Sequence, residues 1–140
     1  MKKIFSLLSI ILIATSIQAQ TATTGATKPK AAPKLTDKDI MMCDKNWSVV
    51  SVEEWGVVTK PPGEKNKTDM LKLTQDMKFE SVMFGIKHVG TWIKSGQYII
   101  MTDEAKMKIS YKVLITDPTK LKVDHYSDED GHSIFEYEPK

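Results

Sequence analysis

The chain has no arginine: all 20 of its Lys+Arg residues are lysine, against 18 Asp+Glu. Arginine supplies the planar fork that grips phosphate, guanine or carboxylate at two points, so its absence argues against sequence-reading of nucleic acid and against a strong anion clamp. Cysteine is nearly absent too. Cys43 stands alone, which excludes an intramolecular disulfide and leaves the fold to rely on packing. It reads as a small apolar residue, with an intermolecular disulfide or a reactive thiol as the sharper alternative. Beyond the first 13 residues there is no long apolar run to supply a stable membrane span.

Catalytic signatures are missing as well. The sequence has no Gly-x-Ser-x-Gly elbow, phosphate loop or dinucleotide fingerprint, so neither an enzyme nor a cofactor is expected. Glu53 and Glu54 adjoin at a strand end, where neighbours point to opposite faces, which makes them a poor acid–base pair. His125 and His132 could approach across a hairpin near Asp128 and Asp130. Without cysteine or a tight His-x-His spacing, a polar hairpin is the better reading than a metal site. Ser127 to Gly131 is too short for a calcium-binding loop of the EF-hand kind.

What is present begins with an export signal. Lys2 and Lys3 form a positive start, Ile4 to Ile13 an apolar core broken only by Ser6 and Ser9, and Ala19 a small residue at a cleavage position. The apolar core is about half the roughly 20 residues that a membrane-spanning helix needs. Residues 1–19 are therefore expected to be a cleaved signal peptide, leaving Gln20 as the new N-terminus and no stable membrane span. The destination is periplasmic or extracellular. Residues 20–34, mostly Thr, Ala, Pro and Lys, lack the apolar surface to offset their ordering entropy and are expected to be a disordered tether. Without these two segments the charge changes sign: from Leu35 to Lys140 there are 15 lysines and 18 acids, a net of −3.

Residues 35–140 make one domain. Thr36 can cap a short helix with Asp37 and Asp39 in its first turn, and Leu35 and Ile40 have the spacing of a hydrophobic staple. Ile40, Met41 and Cys43 are its expected apolar side. From Trp47 the period becomes two. Strands are expected over Trp47–Val52, Met70–Thr74, Lys78–Met83, Val89–Lys94, Tyr98–Met101, Met107–Val113, Leu121–Tyr126 and Ser133–Tyr137, with Gly56 to Lys67 as the long loop. Connections this short permit only antiparallel hairpins. The expected fold is all-β: an eight-stranded antiparallel up-and-down barrel with a short N-terminal helix, closed so that no edge remains.

Several short elements, in order, resemble the bacterial lipocalin-like family of small exported barrels. Trp47 opens the first strand after a helix. Leu71-Lys72-Leu73-Thr74-Gln75-Asp76 with Phe79 looks like the family's strand–turn–strand signature, Gly90-Thr91-Trp92 like its mid-barrel element, and Leu121-Lys122-Val123 with Asp130-Gly131 like its closing hairpin. Two positions depart: Lys45 stands where a glycine is usual, and Asp76-Met77 where Asp-Gly is common. The resemblance implies a calyx and a small hydrophobic ligand. Leu73, Phe79, Met83, Trp92, Ile109, Tyr111, Val123 and His125 are the expected pocket lining. The aromatics also include Trp55, Tyr98 and Phe84, counted as core or pocket surface. The alternative is a protein-interaction or inhibitor module of the cell envelope, acting through Gly56 to Lys67 and the acidic turn at Asp128 to Gly131.

Overall fold

The computed structural model describes residues 34–140. The expected signal peptide, and the tether as far as residue 33, lie outside the described residues. One helical turn, α1 (Asp37–Ile40), precedes nine strands: β1 (Trp47–Glu54), β2 (Val57–Thr59), β3 (Met70–Leu73), β4 (Lys78–Met83), β5 (Ile86–Ser95), β6 (Tyr98–Asp103), β7 (Lys108–Thr116), β8 (Leu121–Ser127) and β9 (Gly131–Pro139). From β3 to β9 each strand pairs antiparallel with the next. The sheet closes because β9 returns along the whole of β1, from Trp47 opposite Pro139 to Glu54 opposite Ser133. The other edge of β1 is shared: Trp47 and Ser48 pair with β3, and Val52 to Glu54 pair with β2.

Eight strands thus form the up-and-down barrel, and β2 is an addition to it. Val57 to Thr59 fall within the expected long loop, Gly56 to Lys67, yet form a strand. Trp55-Gly56 is instead a two-residue turn that folds the chain directly back on β1. Val57-Val58-Thr59 has no alternation to reveal a strand, because all three residues are exposed. His88, expected just before a strand, lies inside β5, which begins at Ile86. Met107, expected inside the seventh strand, belongs to the turn before β7. Its N–H donates to Asp103 Oδ1 at 2.8 Å and its side chain is exposed.

Alternation along the strands fills the interior. Trp47, Leu71, Leu73, Phe79, Trp92, Ile99, Met101, Ile109, Tyr111, Leu121, Val123, Phe135 and Tyr137 all belong to one buried cluster. Each such side chain contributes on the order of 1.5–3 kcal/mol through removal from water. A register shift between Val49 and Ser51 changes the phase of β1, so that Val49 and Val52 are both buried and Val52 lies opposite Phe135.

One end of the barrel is sealed by the segment around α1. Thr36 and Asp39 cap each other reciprocally: the Thr36 N–H donates to Asp39 Oδ2 at 3.0 Å, and the Asp39 N–H donates to Thr36 Oγ1 at 3.3 Å. The Asp44 N–H donates to the Leu73 carbonyl at 2.7 Å, and the Trp47 indole N–H donates to the Met42 carbonyl at 2.8 Å. Lys94, on the inward register of β5, reaches within 3.6 Å of Asp39 Oδ1. The expected apolar side of the helix needs correction. Ile40 and Met41 are exposed, whereas Met42 and Cys43 are buried, because the helix stops after one turn and the chain then bridges to Leu73.

Both departures from the familiar pattern acquire a structural meaning here. Lys45 donates from Nζ to the Pro118 carbonyl at 2.8 Å and stands 5.2 Å from the centre of the Trp47 ring. Met77 has φ +64°, the left-handed geometry for which glycine is the usual choice. Among the described residues no helix is long and apolar enough to cross a membrane.

Candidate functional site

The end opposite α1 is built differently. At the α1 end, the turn between β5 and β6 places Gly96 in a left-handed position, φ +57°, as tight hairpins favour. At the opposite end, two two-residue hairpins place an aromatic residue there. Trp55-Gly56 links Glu54 to Val57 with φ values of +55° and +76°. Phe84-Gly85 links Met83 to Ile86 with +52° and +76°. Positive φ at both central residues defines the mirror-image turn, whose first position favours Asn, Asp or Gly. A left-handed conformation disfavours other residues by roughly 1–2 kcal/mol.

The two aromatics point to different surroundings. Phe84 is half-buried: its ring centre lies 6.3 Å from that of Phe135, and Lys65 Nζ stands 4.4 Å from its own. It covers the barrel mouth. Trp55 is 81% exposed, with Val57 and Val58 exposed beside it on β2. A β-carbon built on Gly131 would lie 3.6 Å from the Trp55 indole, so the indole runs along the β8–β9 turn. That turn carries Asp128, Glu129 and Asp130, all exposed. A depression of about 230 Å³ is lined by Glu53, Trp55, Gly56, Gly131, His132 and Ile134. The hairpin within the expected long loop and the acidic turn therefore meet at one place. Trp55 is a correction to its expected place in the core, since a turn position has no inward face. Tyr98 is a second one: it stands on the outer register, opposite Lys112.

The eight residues expected to line a pocket all lie on the inward register. Leu73, Phe79, Trp92, Ile109, Tyr111 and Val123 are each no more than 3% exposed and pack against one another in the core. Met83 and His125 are half-buried, nearer the mouth. Of the eight, Met83, Tyr111 and His125 meet there. The Tyr111 hydroxyl donates to Met83 Sδ at 3.2 Å, and the His125 ring stands edge-on to Tyr111 at 5.6 Å. Five depressions among the described residues lie on the outer surface or the rims, and none of the five is lined by any of these eight.

The electrostatics of the interior follow from burial. Burial pushes the Tyr111 phenol up to about 12, with Tyr137 acting in the opposite sense and the Asp69 carboxylate adding to the rise. Burial also raises Tyr137 well above the usual phenol range, helped by Tyr111 and Asp69. His88 is inward-facing, opposite Ser81, and its Nδ1 lies 3.2 Å from Asp103 Oδ2. Burial tends to raise the Asp103 carboxyl. The Met107 N–H, the His88 ring and the Ala105 N–H outweigh it, so the group sits below the ordinary carboxylate range.

Sequence reasoning missed the His88–Asp103 pair because the expected strand starts at Val89, three residues after the observed start at Ile86. Extending the period of Trp92 and Gly90 back to His88 reveals it. Ser81, His88 and Asp103 are the residue types of a nucleophilic triad, but the described hydrogen bonds include none between Ser81 and His88. His125 and His132 do not approach as a pair: they pair with Ser133 and Tyr126, and face opposite sides of the sheet. Among the described residues no three metal-ligating side chains come together.

No known family model matches the chain, and no curated protein matches it.

Proposed function

We propose that this is an exported, non-enzymatic, lipocalin-like barrel that works as a protein-interaction module of the cell envelope or its surroundings, with Trp55 as the anchor. One observation carries the proposal: a large aromatic residue is held 81% exposed in a left-handed turn position where Asn would fit better. Local strain combined with an exposed tryptophan is the signature of a residue kept for contact rather than for folding. Val57 and Val58 extend the apolar surface, and Asp128, Glu129 and Asp130 border it with negative charge. The complementary partner is a protein with an apolar pocket rimmed by lysine or arginine. Lys2 and Lys3, the apolar Ile4 to Ile13 and Ala19 support export.

The test places a photo-crosslinking residue at Val57 in the native host and compares the trapped partners with those of the same chain carrying Trp55→Asn. Loss of a specific adduct in Trp55→Asn, and its weakening when Asp128, Glu129 and Asp130 are neutralised, supports the proposal. An identical set of adducts in every variant rejects it. Export is checked separately, by N-terminal sequencing of the secreted form, which should begin at Gln20.

The soft residues at the mouth favour a second reading, a small hydrophobic ligand. Met83 and Phe84 are half-buried over Tyr111 and Phe135, and a methionine can repack around an incoming molecule. Such a ligand would enter by displacing Phe84. Native mass spectrometry of protein purified from its own host tests this reading, and a mass equal to that of the bare polypeptide counts against it.

A further inference from the structure

The outer face of β6 to β9 carries a depression of about 330 Å³ that touches the Trp55 site only at His132. Its lining comes from four strands: Tyr98 on β6, Ser110 and Lys112 on β7, Asp124 and Tyr126 on β8, and His132 on β9. The ladder fixes their arrangement, with Tyr98 opposite Lys112, Lys112 opposite Asp124, and Tyr126 opposite His132. Both tyrosines are exposed, Tyr126 at 59%. The His132 ring is held in place from two sides. Its Nδ1 lies 2.9 and 3.1 Å from the two Asp124 oxygens, and its centre lies 5.1 Å from that of Tyr126. With Nδ1 engaged by the carboxylate, Nε2 is the ring nitrogen left to hydrogen-bond a ligand.

The chemistry of this lining selects among ligands. A purely apolar molecule would cut Ser110 and Lys112 off from water without replacing their hydrogen bonds, and would offer nothing to the His132–Asp124 pair. A strongly charged one finds a lysine offset by a carboxylate. What remains is a neutral molecule with hydroxyls along its edges and a flat C–H face, and the volume is within the ~300–1,000 Å³ range of small-molecule sites. We propose that this groove binds a neutral oligosaccharide, with Tyr98 and Tyr126 covering the C–H faces of its rings and Ser110, Lys112, Asp124 and His132 bonding its hydroxyls. Tyrosine suits this role because it offers a rigid amphipathic face with little rotamer freedom to lose.

Backbone-amide NMR titration of the full chain tests the proposal with three neutral probes: cellotetraose, chitotetraose and a mannose tetrasaccharide. An acidic heparin tetrasaccharide and a neutral tetrapeptide serve as competing arms. At least one neutral sugar should shift the amides of Tyr98, Lys112, Asp124 and Tyr126 saturably, with a Kd of about 1 mM or tighter. Tyr98→Ala, Tyr126→Ala and Asp124→Asn should each weaken it by about tenfold or more, while Trp55→Asn leaves it unchanged. These side chains lie outside the core, so the variants should keep the wild-type spectrum elsewhere. The proposal is overturned if no neutral sugar responds at about 10 mM, if the heparin fragment or the peptide binds more tightly, or if binding survives the Tyr98→Ala/Tyr126→Ala double substitution.

Discussion

No β-carbon fits between Gly90 and Thr102: built on Gly90, it would overlap the Thr102 carbonyl oxygen and stand 2.8 Å from Asp103 Cα. The φ of Gly90 is unremarkable, so the requirement is one of space. The backbones of β5 and β6 approach here as the sheet coils around the barrel. Gly90→Ala is therefore expected to lower stability by more than about 3 kcal/mol, because backbone rather than a flexible side chain must move. Gly63→Ala, where a β-carbon meets nothing within 4 Å, should change stability by less than about 0.5 kcal/mol. Urea unfolding of the two variants measures the contrast, and equal effects would contradict it.

Trp55→Asn should raise stability. The substitution removes an exposed side chain and places in the left-handed turn position the residue that this turn prefers. The expected gain is about 1 kcal/mol, read as a higher urea midpoint at unchanged slope. A loss of similar size would mean that the contact between the indole and the β8–β9 turn outweighs the strain.

The two buried phenols make the protein sensitive to alkali. A group whose folded pKa is raised contributes stability that is fully present below its unfolded pKa and is lost as pH rises through the folded one. For Tyr111 the window runs from the unfolded value of about 10 to a folded value of about 12, and Tyr137 extends it upward. Unfolding free energy should therefore fall from about pH 10 upward. Phenolate absorbance of Tyr111→Phe should match that of the native wild type up to about pH 11, since Tyr111 is still protonated there.

Acid acts through the α1 end. Burial tends to raise the Asp39 carboxyl, but the Thr36 hydroxyl and N–H, followed by Lys94, lower it below the usual range. The sign is the reverse of the tyrosine case: the contribution is present above the unfolded pKa of about 3.9 and disappears as pH falls through the depressed folded value. Asp39→Asn should be less stable than wild type near neutrality, with the difference shrinking below about pH 4. Urea titrations at both pH values check this, and a constant gap would contradict it.

Leu73→Ala probes how tightly the barrel is filled. Leu73 is fully buried, next to the bridge from Cys43. The expected loss is about 2–5 kcal/mol, and a much smaller value would indicate an interior that collapses readily around the gap.

Most of the barrel was legible because its information is local. Turn residues and two-residue periods mark β4, β7 and β8 without reference to any other strand. The added strand β2 was not legible, because Val57 to Thr59 shows no alternation and is defined only by its pairing with β1. Periodicity also reports which face of a strand is apolar, not how much space lies behind it. The inward direction of Leu73, Trp92 and Val123 was thus accessible from sequence, but the fullness of the interior was not. Trp55 illustrates the sharpest limit: an aromatic residue is assigned to a core by its type, and only a turn geometry that disfavours it shows that it stands outside.

The pairing of β1 with β9 has a consequence for biogenesis. The first and last strands of the domain are neighbours, so the sheet cannot close until Gly131 to Pro139 is available to β1. Exported N-terminus first, as proposed, the domain would remain an open ribbon until β9 has followed β1 across the membrane. Contacts of such long sequence separation form slowly. Under the proposed export, that delay favours threading before folding, with β9 as the strand whose arrival closes the barrel.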